Sequence, residues 1–98
     1  MQLLISKEAA KWYKSELDIK DTAEHIRFYT RYGFGGHIPG FSLGISMDKP
    51  IDIYTSTTIE DITFFVEGKD AWYFEGYDLK INMNRKLQEP EFKYIDKE

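Results

Sequence analysis

The chain has no cysteine. That single absence removes disulfides, thiolate metal ligands and thiol nucleophiles together. It also lacks a surplus of positive charge, with 13 Lys and Arg against 17 Asp and Glu for a formal net charge of −4. General binders of nucleic acid or of anionic membrane surfaces are normally basic, so neither class is expected. No apolar run approaches the ~20 residues that span a bilayer. Met1-Gln2-Leu3-Leu4-Ile5 carries no basic leader ahead of a long apolar region, so no signal peptide is expected and the protein reads as cytoplasmic. No serine sits in a nucleophile-elbow pattern, and no Gly-Lys-Ser/Thr follows the glycines. No residue set stands behind an enzymatic reading.

What is present suffices for a folded domain. A chain of 98 residues that is 42% hydrophobic and 16% aromatic is one domain, 1–98, with one modest core. Domains of this size bury roughly 60–65% of their unfolded surface. Leu3-Leu4-Ile5 reads as a first strand. Ser6 then stands as a helix N-cap and Glu8 suits the first turn. Ala9, Ala10, Tyr13 and Leu17 recur at helical spacing, so a helix over 7–17 is expected, with Trp12 and Tyr13 at the core or its edge. Residues 18–22 read as a polar turn.

Strict period-two alternation follows. It predicts strands over 24–31, 41–46, 51–57, 62–66 and 77–83, with the first two antiparallel and Glu60-Asp61 as a hairpin turn. Lys69 to Phe74 is expected to make one or two helical turns and to close the core, or else to present an aromatic patch to a partner. From Asn84 the alternation is lost. Residues 84–98 read as a solvated tail whose Phe92, Tyr94 and Ile95 can dock loosely.

The most unusual stretch is Arg31 to Phe41, which holds four of the seven glycines, several aromatics, His37 and Pro39 between two strands. Glycine supplies backbone angles closed to other residues and lets other groups approach the main chain. The loop is therefore a demanding turn or a place where something binds. A phosphate cradle needs a helix after its glycines, and here a strand follows. His25 and His37 lie twelve positions apart, with no ligand pair at helical or finger spacing, so no metal site is assigned. On the outer face of the 24–31 strand, Arg27, Tyr29 and Arg31 read first as a solvated face with cross-strand ion pairs, and second as an anion clamp.

Order and spacing then suggest a family. Arg27-Phe28-Tyr29 runs into Gly33-Phe34-Gly35-Gly36 and Gly40-Phe41-Ser42-Leu43-Gly44. Asp61-Ile62-Thr63-Phe64-Phe65-Val66 and Trp72-Tyr73-Phe74-Glu75-Gly76-Tyr77-Asp78-Leu79 follow. Over about residues 1–83 this resembles the HesB/IscA-like (A-type iron–sulfur biogenesis) domain family, nearest its cysteine-poor, YneR-like branch. The resemblance implies an α+β, mainly β fold. It would be a small HesB-like pseudo-barrel or sandwich of antiparallel and mixed strands with one N-terminal helix.

Carriers of that family bind iron or a cluster through one cysteine in the glycine loop and a Cys-Gly-Cys near the C-terminus. Here the loop position falls on Phe34 or Gly35, and Glu91-Phe92-Lys93-Tyr94 occupies the tail. With no thiolates for iron, no cofactor is assigned. The resemblance implies a non-catalytic binding or adaptor module in iron–sulfur cluster assembly, with assembly proteins as partners. Its candidate contact residues are Arg31, Tyr32, Phe34, Gly35, Gly36 and His37. The alternative is a small anionic-ligand site at the same loop. Exposed sheet edges and abundant aromatics are compatible with a homodimer.

Overall fold

The computed structural model describes residues 1–20 and 24–97. The expected 18–22 turn lies partly outside them, at Asp21 and Thr22. The described chain runs β1 (Leu3–Ile5), α1 (Lys7–Glu16), β2 (Glu24–Tyr32), β3 (Phe41–Met47), β4 (Ile53–Ile59), β5 (Ile62–Glu67), a 3₁₀ helix (Gly68–Phe74), β6 (Tyr77–Asn84) and β7 (Glu89–Asp96). It is an α+β fold, mainly β, with one α-helix near its N-terminus and two mixed sheets. One sheet has the order β1-β6-β7 and the other β3-β2-β5-β4. β1 joins β6 in parallel and β2 joins β5 in parallel, while the remaining pairs are antiparallel.

Helix α1 starts where its cap chemistry directs. The Ser6 hydroxyl accepts the Ala9 amide at 3.0 Å, and the Ser6 amide donates to the Ile81 carbonyl at 3.0 Å, tying the helix start to β6. The helix ends at Glu16, with Leu17 as its cap. Its buried Ala9, Ala10 and Tyr13 enter the space between the sheets, where the Tyr13 ring meets Phe28 at 6.0 Å and Phe64 at 5.8 Å. Phe28 and Phe64 stack at 5.9 Å across the β2–β5 seam. Ile26, Ile62, Val66, Leu79 and Ile81 complete the core, all essentially inaccessible.

Local turn chemistry sets the strand pairings. Glu60 and Asp61 both adopt left-handed angles (φ 53 and 62), the pair of positive values that a two-residue hairpin turn requires. β4 starts two residues later than its sequence pattern suggests. The buried Glu67 carboxylate accepts the amides of Ile51 (2.8 Å) and Asp52 (2.7 Å) and holds them as a strap, with Ile51 exposed.

The stretch from Asn84 on is the main correction. It is a strand, β7, paired with β6 from Tyr77↔Asp96 to Asn84↔Glu89. Asn84 Oδ1 accepts the amides of Lys86 and Leu87 to form the turn. Pro90, Phe92 and Tyr94 are half-buried, while Glu89, Glu91, Lys93 and Ile95 are exposed. Phe92 meets Phe28 edge-on at 5.8 Å, which makes β7 part of the core wall. β7 is an edge strand, and that is where a sheet tolerates proline. The two sheets approach at β1 and β4, where the Thr55 hydroxyl donates to the Met1 carbonyl at 3.2 Å. At β3 and β7 they leave a groove instead, so the sandwich does not close into a barrel. No described helix is long and apolar enough to cross a membrane.

Burial raises the pKa of Tyr13 and Tyr94 well above the usual 10.0, and the hydrogen bond that the Tyr94 hydroxyl donates to Tyr73 adds to the effect. A folded-state value above the unfolded one means that this stability is complete below about pH 10 and is lost as pH rises beyond it. A titration of phenolate absorbance should find these two hydroxyls ionising together with loss of the far-UV signal. All seven tyrosines ionising in one step on an intact fold would contradict the burial.

Candidate functional site

The glycine loop joins β2 to β3 at one end of the four-stranded sheet. The ladder runs from Ile26↔Met47 up to Tyr32↔Phe41, and the Gly33 amide then donates to the Gly40 carbonyl at 3.1 Å. Gly35 (φ +95) and Gly40 (φ +88) take left-handed angles. Gly36 is required for a different reason. A Cβ there would lie 2.0 Å from the Tyr73 hydroxyl and 2.3 Å from the Phe41 carbonyl oxygen. The loop backbone is pressed directly onto Tyr73, which is itself wholly buried in the 3₁₀ helix.

His37 locks this contact. Its amide donates to the Tyr73 hydroxyl at 3.2 Å, and its Nε2 donates to the Tyr73 carbonyl. A carbonyl oxygen can only accept, so the proton sits on Nε2. The imidazole is enclosed by three tyrosines, with ring centroids at 4.5 Å (Tyr73), 4.7 Å (Tyr77) and 4.5 Å (Tyr94). The Tyr73 and Tyr94 hydroxyls meet at 3.3 Å. β7 therefore braces the loop from beneath through Tyr94. The iron reading of His37 finds no support in this geometry, because its ring packs among three tyrosines and not beside carboxylates. Among the described residues no three His, Asp or Glu side chains converge as metal ligands.

Above this brace the loop presents apolar surface to water. Phe34 is 98% exposed and Tyr32 is 87% exposed. Tyr32 stacks on Phe41 at 5.4 Å, and Phe41 meets Trp72 edge-on at 5.2 Å. Trp72 is half-exposed, while its neighbours Tyr73 and Phe74 are buried. The 3₁₀ helix thus does both things its sequence offered, closing the core with two aromatics and showing a third. No carboxylate occurs between Glu24 and Asp48, although the chain carries 17. The hairpin that bears this tip is a non-acidic finger on an acidic protein.

The six residues singled out in the sequence divide into two sets. Tyr32 and Phe34 form the tip, and Gly35 shapes it. Gly36 and His37 face inward and build the brace. Arg31 is exposed on the outer face of β2, beside Tyr29 and the groove at β3. His37 turns away among the tyrosines, so it does not join Arg31 in a site for an anion.

Arg27 is not on a solvated face either. It is largely buried and pairs with Asp70 of the 3₁₀ helix at 2.8 Å. Asp70 also accepts the Thr30 hydroxyl at 2.7 Å and the Thr30 amide at 3.4 Å, capping β2 beyond the end of β5. Phe41, Trp72, Tyr77 and Tyr94 were absent from the sequence-level set. The signal for Tyr94 was the alternation of Pro90, Phe92 and Tyr94, which the flanking charges obscure.

The brace predicts an asymmetry between neighbouring glycines. Gly36→Ala forces the loop off Tyr73 and should cost about 2 kcal/mol, the scale of overpacking a tight contact. That is roughly a 10 °C fall in Tm for a domain of this size. Gly35→Ala meets no atom within 4 Å and should cost about 1 kcal/mol from its backbone angle alone. Equal melting shifts for the two variants would count against the brace.

No family model matches the chain. It is 38% identical over 95 residues to the pyruvate dehydrogenase inhibitor of Bacillus subtilis, covering 96% of this chain and 99% of that protein. It is 30% identical to an uncharacterized protein of Staphylococcus saprophyticus, over 91% of this chain and 94% of that one. It is 31% identical to an uncharacterized protein of Staphylococcus aureus USA300, over 85% and 88% respectively. The first of these overturns the expected place in iron–sulfur cluster assembly, and with it the anion-binding alternative. A relative matched nearly end to end carries the name of an enzyme inhibitor.

Proposed function

We propose a regulatory function from this premise: the chain belongs to the family that includes the pyruvate dehydrogenase inhibitor of Bacillus subtilis. It acts by binding a pyruvate dehydrogenase and restraining it, without catalysis of its own. The observation that carries this reading is the near full-length match to a protein of that name. The surface that suits the task is the aromatic tip of the β2–β3 hairpin.

Three features support that surface. Tyr, Trp and Phe dominate the energetics of protein contacts when they are buried at the centre of an interface. Phe34 at 98% exposure has almost all of its ring available for such burial. The loop beneath is held by His37, Gly36 and Tyr73, so little conformational entropy is lost on docking. Finally, the carboxylate-free finger can approach an acidic surface without repulsion, even though the whole chain is at −4.

The test is direct binding of the purified chain to purified pyruvate dehydrogenase from the same source, by surface plasmon resonance and by co-sedimentation. Saturable binding that lowers pyruvate turnover is the expected result. An unaltered rate at saturating chain would remove the proposal.

A further inference from the structure

We infer that β3 is the contact strand of a symmetric dimer of this chain, with its two-fold axis at Gly44. The inference is independent of the inhibitory reading and stands on the sheet edges. An exposed edge strand is a template for further pairing, and proteins protect such edges with shortness, prolines, charges or bulges. Two sheets give four edges here. β1 has three residues. β7 carries Pro90 and alternates with Glu89, Glu91 and Lys93. β4 has a register shift between Ile53 and Thr55. β3 has none of these devices: seven residues without proline or charge, in unbroken register from Phe41 to Met47.

The main chain of β3 is correctly placed for pairing. Inward and outward hydrogen-bonding groups alternate along an antiparallel strand. The Gly33 amide reaches across to Gly40, the Phe41 amide turns away to Ile38, and the Thr30 amide turns away from β3 to Asp70. The same alternation directs the amides and carbonyls of Leu43 and Ile45 away from β2. They face the groove between β3 and β7, beside Trp12 and Phe92.

The sequence of β3 matches its own reverse in chemistry. Around Gly44 it reads apolar, serine, apolar, glycine, apolar, serine, apolar, from Phe41 to Met47. An isologous interface needs this self-complementarity. With Gly44 opposite Gly44, Leu43 pairs with Ile45 through main-chain hydrogen bonds, Ser42 faces Ser46 and Phe41 faces Met47. Gly44 holds the centre because its outer face is taken by Tyr29, whose ring a Cβ would meet at 2.6 Å. Two copies at −4 repel, but the seam lies within the carboxylate-free stretch. The product is a continuous eight-stranded sheet with the two Phe34 tips at opposite ends.

The absence of native cysteine makes the test clean. The full chain should sediment at twice its 11.6 kDa at micromolar concentration. Ser42→Cys and Ser46→Cys chains are then prepared separately, mixed, equilibrated and oxidised. Ser42 and Ser46 of opposite copies form a non-hydrogen-bonded pair with Cα atoms about 4.5 Å apart, within disulfide reach. Like positions are about 13 Å apart, four residues along the strand, and out of reach. The mixture should form the covalent dimer and each variant alone should not. A monomeric mass at every concentration overturns the inference. So does a dimer whose mixture fails to cross-link, or one in which a single variant cross-links as well.

Discussion

Phe34→Ala should leave the melting temperature unchanged and weaken binding to pyruvate dehydrogenase by at least ~30-fold, about 2 kcal/mol, the scale of an interface hot spot. The reason is the exposure of the ring. At 98% accessible, the ring contributes almost nothing to the packing of the isolated chain, so its removal has no folding cost. If the tip docks, the same ring is where the largest apolar area leaves water. Tyr32→Ala should weaken binding less cleanly, because Tyr32 also stacks on Phe41 and its loss exposes that ring. Ile51 supplies the control. It is an exposed apolar residue (93%) on the strap that follows β3, away from the tip end of the β2–β3 ladder. Ile51→Ala should change neither stability nor binding. Equal losses for Phe34→Ala and Ile51→Ala would show that exposed apolar area in general, and not the tip, is what the partner meets.

Asp70→Ala should destabilise the fold by about 4 kcal/mol, a large part of the 5–15 kcal/mol available to a domain of this size. Both members of the pair are mostly buried, with side-chain exposures of 17% for Arg27 and 7% for Asp70. Removing the carboxylate leaves the guanidinium uncompensated and also releases the Thr30 hydroxyl and amide. Arg27 Nε has no partner among the described protein atoms, so the guanidinium has little other compensation at hand. The double variant Arg27→Met with Asp70→Leu should recover much of the loss, since an apolar pair removes the stranded charge. Denaturant titration of the single and double variants reads both numbers. A double variant no more stable than Asp70→Ala would mean that the damage comes from Thr30 and the 3₁₀ helix, not from the buried charge.

The sequence carried the strands well where apolar and polar residues alternate on a one-sided sheet. The Ser6 cap, the Glu60-Asp61 hairpin and the antiparallel β2–β3 pair are each consequences of short-range chemistry. β7 escaped because its alternation is Pro90, Phe92, Tyr94 against charges at an edge, where burial is partial and proline is tolerated. Arg27 was misplaced for a related reason. Its face of β2 looks outward by parity, but the 3₁₀ helix that follows β5 brings Asp70 against it. No period in the sequence encodes that return.

The glycine loop was recognisable as special, with Phe34 and Tyr32 among its candidates. Its division into an outward tip and an inward brace was not legible. That division depends on Tyr73 and Tyr94, which lie 36 and 57 residues beyond His37. Composition also carries no trace of the proposed enzyme partner, because docking asks for surface shape and not for a catalytic motif.

The most direct measurement is the rate of a purified pyruvate dehydrogenase titrated with the wild-type chain, with Phe34→Ala and with Ile51→Ala. Saturable inhibition by the wild type and by Ile51→Ala, at matching concentrations, is the expected result. Phe34→Ala should require at least ~30-fold more protein for the same effect. Full enzyme rate at saturating wild-type chain, or a Phe34→Ala curve superimposed on the wild type, would contradict it.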